Sequence, residues 1–392
     1  MQLEAAVSLT REEELYWIAL RLIPGLGTRR AGQLVERYRT ARRIFQTPVS
    51  ELEGLGLSGS VARSIASGCT FDDAAVQQEK MLAAGVSLIP ISDPRYPARL
   101  REIFDPPVLL FAKGRVELLR RLMLAVVGTR RPTHYGVTAA ERLAGDLARA
   151  GLVIASGMAR GIDTAAHRGA LTAQGDTLAV FGCGADVVYP AENRKLYAEI
   201  AERGLLISEF PMGSPAYPQN FPVRNRIVAG ISCGVLVVEG AQYSGSSITA
   251  KLALEQGREV FAVPGNITSK VSWGPNLLIK QGAKLIQEWN DVVVELHPDD
   301  RAALVAESRR RTGSEAEQAS LTDMPSLEQM GPMAEVARKI LATLRVDTPT
   351  HIDDLLADLE HYSSSELIAA LFDLEMMGLI KQLPGRNFAK VW

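Results

Sequence analysis

At 392 residues, the chain has room for two to four domains, and its 47% hydrophobic and 22% charged content is that of an ordinary globular protein. A formal net charge of −2 excludes a polycation, so any nucleic-acid site has to be a local patch. Cys69, Cys183 and Cys233 are far apart with no CxxC spacing, which excludes a disulfide frame and a structural zinc and indicates a reducing compartment. The five histidines are scattered and suggest no metal. Glu12, Glu13 and Glu14 stand where a signal peptide would be apolar, and the longest apolar run, Ile227 to Val238, is too short and glycine-broken to span a bilayer. The composition predicts a cytoplasmic protein with no membrane partner.

In chain order, residues 1–82 read as a helical domain. Leu15, Ile18, Ala19 and Leu22 repeat at helical spacing, then Ile23-Pro-Gly-Leu-Gly27 interrupts and a second helix follows. The same logic returns at Leu52-Glu-Gly-Leu-Gly56. Helix, glycine turn, helix is similar to helix-hairpin-helix and SAM-like modules, whose turns present free backbone N–H groups to a phosphate. Between Gly25 and Arg43 six arginines stand against Glu36 alone. Those arginines either contact DNA or simply face solvent around a small helical bundle.

Residues 83–298 read as an extended Rossmann-like, doubly wound α/β domain with a mostly parallel sheet. Strand-like runs at 86–91 and 107–111 extend its edge. From Leu122 onward, apolar runs at 122–127, 152–155, 177–181, 205–208, 234–238 and 259–263 alternate with helical stretches, which predicts a parallel sheet covered on both faces. Ligands in such folds bind at the carboxyl ends of the strands. Residues 299–332, rich in Ser, Glu and Arg, read as a linker. Residues 333–392 give three helical patterns and a hairpin, the order of a winged-helix domain. The third pattern carries Glu366, Asp373 and Glu375 without a basic residue, which argues against duplex reading and for a protein-contact or accessory role.

The polar segments fall at the predicted carboxyl edge. They supply small hydroxyls and glycines (Thr129, Ser156, Ser244, Ser246, with Gly128, Gly157 and Gly245) and arginines (Arg130, Arg131, Arg160, Arg224, Arg226). Such groups hold phosphate oxygens without reacting with them. Arg224 and Arg226 open a predicted helix behind the aromatic corner Phe221-Pro222, and no acid occurs between Glu209 and Glu239. The bland alternatives are an ion pair of Arg160 with Asp163, and of Arg226 with Glu239 or Glu209. No G-x-G-x-x-G follows the first strand and no Walker A motif occurs, so no cofactor is predicted. His134, His167 and Asp163 are the nearest approach to acid–base groups. No nucleophile accompanies them, and Cys183 reads as a small buried residue. No catalytic residue and no metal ligand is predicted.

Val127-Gly-Thr-Arg-Arg131, Ser156-Gly-Met-Ala-Arg-Gly-Ile-Asp163, Gly182-Cys-Gly-Ala-Asp186 with Tyr189-Pro190, Phe221-Pro-Val-Arg-Asn-Arg226, Ser244-Gly-Ser-Ser-Ile-Thr249 and Val260-Phe-Ala-Val-Pro-Gly265 form a long ordered set. Together they resemble the DNA-processing protein A family (DprA, or Smf), over about residues 86–290. The resemblance implies sequence-independent binding of single-stranded DNA, loading of the RecA recombinase onto it during natural transformation, and a homodimer built through the core. It also implies that Gly128, Thr129 and Arg130 form a phosphate-binding turn and that Arg224, Asn225 and Arg226 line the strand path. A basic residue often precedes the Phe-Pro corner in the family. Here 213–223 has none, and Tyr217 is the candidate to stack on a base instead. Leu277, Leu278 and Ile279 are the expected dimer or partner contacts. The alternative is a nucleotide-hydrolysing enzyme of the phosphoribohydrolase type. The loop Glu239 to Thr249 lacks that group's catalytic glutamate after the threonine.

Overall fold

The structure, a computed structural model, describes residues 9–242, 244–315, 333–345, 349–359, 361–376, 379–383 and 385–390. They form two compact units, which divide between Val292 and Val293. Among the described residues no helix is long and apolar enough to cross a membrane.

The first unit is built on a nine-stranded sheet. Its strands are β1 (Ser87–Pro90), β2 (Leu109–Gly114), β3 (Met123–Val127), β4 (Val153–Ser156), β5 (Thr177–Phe181), β6 (Leu205–Ser208), β7 (Gly234–Val237), β8 (Glu259–Ala262) and β9 (Lys284–Leu285). They lie in the order β1-β2-β6-β5-β4-β3-β7-β8-β9. The pairings of β1 with β2 and of β2 with β6 are antiparallel and the rest are parallel. Strands β3 to β7 are buried along their whole length, as unbroken apolar runs between two layers of helices require. The chain winds outward from β3 in both directions, so the topological switch point lies between β3 and β7. A crevice opens there beyond the carboxyl ends.

Six helices precede the sheet, from Arg11–Leu22 to Phe71–Ala83. The first begins with a reciprocal Thr10–Glu13 capping box, so the acidic cluster Glu12 to Glu14 is the negative first turn that a helix N-terminus favours. Trp17, Leu20, Ile44 and Ile65 share one core with Leu88, Leu109 and Phe111 of the β1–β2 ribbon. The predicted helical domain is therefore continuous in packing with the sheet. On the ribbon's other face Ile89, Leu110 and Ala112 join the central core. The alternation follows the period-two pleat.

The expected linker 299–332 is helical at its start: Pro298–Glu315 forms one helix, and 316–332 lie outside the described residues. In the second unit, helices Ala334–Thr343, Ile352–Asp358 and Ser364–Met376 pack around Ile340, Leu355, Leu374 and Phe388. A small sheet of β10 (Thr350–His351), β11 (Ile380–Leu383) and β12 (Asn387–Lys390) accompanies them, the winged-helix arrangement. Glu366 caps its own helix: its carboxylate accepts from the Ser363 amide (2.9 Å) and hydroxyl (2.7 Å).

Candidate nucleic-acid interface

The crevice beyond β3 and β7 holds a pocket of about 620 Å³. Three chain segments and one helix build most of it, with Tyr189, Ala216 and Pro218 completing the wall. The turn after β3 supplies Gly128, Thr129, Arg130 and Arg131. It is fastened by Glu239, whose backbone oxygen accepts from the Thr129 amide (2.6 Å) and whose carboxylate accepts from the Thr133 hydroxyl (2.6 Å) and amide (2.9 Å). Gly128 has no room for a side chain, because a Cβ would fall 2.7 Å from the Glu239 oxygen and 2.6 Å from Ile162. The loop after β4 is shaped by Asp163, whose carboxylate accepts from the amides of Gly157 (3.1 Å) and Ala159 (3.3 Å). After β7, Ser244 caps helix Gly245–Glu255, accepting from the Ser247 amide, and its hydroxyl lies 2.7 Å from that of Ser246.

The helix Asn220–Ile231 closes the pocket with Phe221, Arg224 and Asn225. The guanidinium of exposed Arg130 lies 5.4 Å over the Phe221 ring, and Tyr189 stacks on the same ring at 5.4 Å between centroids. Among the described residues neither Arg130 nor Arg131 pairs with a carboxylate. Arg224 is different. It is only 4% exposed and forms the pocket floor, donating from Nη1 to the Val180 oxygen (2.5 Å) with its guanidinium against Gly157. Burial pushes its pKa down, and the attraction of Asp163 opposes that. Asp163 is pushed up by the same burial and held back by Arg224 and the two amides. The Nε of Arg224 has no hydrogen-bond partner, so the floor presents a buried cation incompletely satisfied by protein.

Several expected site residues are placed elsewhere. Arg226 does not line the pocket: it is buried, with Nη2 2.7 Å from Glu209 and Nε 2.9 Å from Asp105. Positions 224 and 226 on one helix point about 200° apart, so they cannot share a ligand-facing surface. Ser156 is fully buried and donates to the Val126 oxygen (2.7 Å), tying β4 to β3. Arg160 pairs with exposed Glu192 (2.5 Å) rather than with Asp163, beside the pocket mouth. Tyr217 is exposed and outside the lining. Leu277, Leu278 and Ile279 are half-buried on helix Trp273–Lys280, and Leu278 packs on the central core. The sequence reading missed three contributors: Tyr189, Asp163 as a loop brace and Glu239 as the anchor of the turn. Tyr189 stood in the Tyr189-Pro190 motif at a strand's carboxyl end, but was not assigned a role there.

The groups suited to acid–base work lie off the pocket or are braced. His167 is buried with Nδ1 2.6 Å from the Thr177 hydroxyl, and burial pushes its pKa down to about 3. Burial pushes the Cys183 thiol up to about 12.

The sequence profile described as DNA recombination-mediator protein A matches residues 87–297, and that described as DprA winged helix domain matches 325–386. A protein named Smf from Synechocystis is 32% identical over 97% of this chain and 100% of its own length. The DNA processing protein DprA of Bacillus subtilis is 46% identical over 54% of this chain and 72% of its own. The X-ray structure of DNA processing protein A from Streptococcus pneumoniae superposes with a TM-score of 0.65 at 36% identity, covering 74% of this chain and 99% of that one. The chain belongs to the DNA recombination-mediator protein A family, the DprA and Smf proteins.

Proposed function

We propose that the pocket binds single-stranded DNA without sequence preference and without turnover. The observation that carries this reading is the arrangement around Phe221. An unpaired cation, Arg130, lies over an aromatic ring at the mouth of a pocket with a buried, incompletely satisfied guanidinium at its floor. Phosphates on Arg130 and Arg131 give salt-dependent affinity that ignores sequence. Stacking on Phe221 and Tyr189 favours bases that have left the duplex. Among the described residues Asp163 is the one carboxylate lining the pocket, and it is engaged by two amides. No observation favours the phosphoribohydrolase alternative: Thr249 is followed by Ala250, Lys251 and Leu252 where that group carries its catalytic glutamate, and Glu239 is engaged in holding the turn at Thr133.

The test is a titration of matched single- and double-stranded oligonucleotides across a salt series. The intact protein is compared with Arg130→Ala/Arg131→Ala. The expected result is preference for the single strand, and in the variant a salt slope lower by about 2, one for each phosphate contact removed. Equal affinity for both forms, or an unchanged slope, would reject the reading.

The same reading makes the chain a loader that passes the strand to a RecA-type recombinase, as the family's description as recombination mediators supports. The setting would be natural transformation, inside the cytoplasm. It also makes the chain a homodimer through Leu277 and Ile279 on the half-buried helix Trp273–Lys280. Sedimentation of Leu277→Asp/Ile279→Asp tests the dimer: a change to monomer is expected, and an unchanged mass rules these residues out.

A further inference from the structure

A second depression, of about 740 Å³, lies between the N-terminal helix Thr28–Tyr38 and the segment that joins β1 to β2. Arg29, Gly32 and Glu36 recur along one helix face toward it, and Arg39 follows at the helix end. Arg101 and Phe104 face them from the other wall. Among the described residues Glu36 is the one carboxylate in the lining, against three arginines, none of which forms an ion pair, although Arg101 also donates to the Asp93 backbone oxygen (3.4 Å). Phe104 is 74% exposed although the Arg29 guanidinium lies 4.4 Å from its ring centre. A ring covered on one face and still that exposed has its other face open. An arginine-backed aromatic beside unpaired cations is the combination that holds an unpaired nucleotide, with its base on the ring and its phosphate on the guanidinium groups.

The depression is connected to the first site. A shallow groove lined by Ile103, Phe104, Pro222, Arg226 and Glu255 shares Pro222 with the pocket and Phe104 with the depression. The carboxylates along that groove each lie near a cation. Asp105 pairs with Arg226, Glu102 lies 3.8 Å from Arg258, and Glu255 lies 3.8 Å from Lys251. A strand crossing that groove passes carboxylates that each have a cation within 4 Å.

We infer that the arginine- and Phe104-lined depression is a second contact for the same single strand, engaged after the strand leaves the pocket at Phe221. The inference rests on the single-strand reading of that pocket. The full chain and two variants, Arg130→Ala and Arg29→Glu/Phe104→Ala, are titrated with unpaired oligonucleotides of about 6 and about 30 nucleotides, bracketing one site and several. Arg29 and Phe104 are exposed, so the second variant should fold, and circular dichroism confirms it. Arg130→Ala should weaken both lengths. Arg29→Glu/Phe104→Ala should weaken the long strand about tenfold, the loss of one base stack, and leave the short one unchanged. If Arg29→Glu/Phe104→Ala binds both lengths as the intact protein does, or loses both equally, the second contact is rejected. If instead Arg130→Ala leaves the short strand unaffected, the pocket reading itself fails, whatever the double variant does.

Discussion

Gly157→Ala offers a sharp test of how the pocket floor is built. A Cβ at 157 would overlap Nη1, Cζ and Nη2 of Arg224 together, and the backbone there is not left-handed, so the conflict is purely one of space. Forcing a methyl group into a packed site costs about 1–3 kcal/mol. Arg224→Ala alone removes a charge-assisted hydrogen bond to Val180 and the cation that faces Asp163, and it should cost about 3–5 kcal/mol. In Gly157→Ala/Arg224→Ala the methyl enters the vacated space, so the first cost disappears and the pair couples by about 1–3 kcal/mol. Urea unfolding of the four proteins, followed by circular dichroism, measures that coupling. A pH arm adds a second check. Asp163 has a folded pKa raised by burial, so its proton uptake favours the fold as pH falls through that value. Removing Arg224 takes away the attraction that restrained the rise, so the deficit of Arg224→Ala should narrow between pH 7 and pH 5. Strictly additive costs, or a deficit independent of pH, would refute this account of the floor.

Three further outcomes are expected. His167 is neutral in the fold, with its pKa lowered from 6.5 to about 3, so its contribution is fully present above 6.5 and is lost as pH falls toward 3. His167→Gln should flatten the acid side of the stability profile by about 2–3 kcal/mol at pH 4.5, read from urea midpoints. Arg226→Met strands Glu209, which is 2% exposed, and should cost about 3–5 kcal/mol, largely recovered in Arg226→Met/Glu209→Gln. The folded variant should bind an oligonucleotide of about 6 nucleotides, confined to the pocket, as the intact protein does, and a defect with that short strand in a stable variant would return Arg226 to the pocket. Phe221→Ala should weaken single-strand binding by about 1–3 kcal/mol in fluorescence anisotropy, while the salt slope stays unchanged because no charge is lost. A reduced slope would mean that the ring acts only by holding Arg130.

Much of the fold was legible because burial on both faces forces unbroken apolar runs. The six predicted strands from 122 to 263 match β3 to β8 within about a residue at each end, inside the usual disagreement on element boundaries. The turn at Gly128 and the capped helix at Ser244 were also legible, since glycines and small hydroxyls at strand ends have a local reason. What escaped was non-local. The absence of acids near Arg226 in sequence said nothing about Asp105, which is 121 positions away and 2.9 Å from its Nε. Arg160 found Glu192, 32 positions on, for the same reason. The helical phase of Arg224 and Arg226 was available in the sequence, and the two-residue spacing alone separates their roles. Ser156 looked like a ligand group because a strand-end hydroxyl has two uses, and here it serves the sheet.

The β1–β2 ribbon carries a different apolar set on each side, with Leu88 opposite Phe111 toward the N-terminal helices and Ile89 opposite Leu110 toward the central core. A chain begun after Ala83 would therefore leave one flank of a twisted hairpin bare to water. The product would be a sticky surface rather than a trimmed enzyme-sized core. Deletion experiments that assign a role to the leading helices by removing them would be reading aggregation, and point changes on the outer surface of those helices are the cleaner way to ask what they touch.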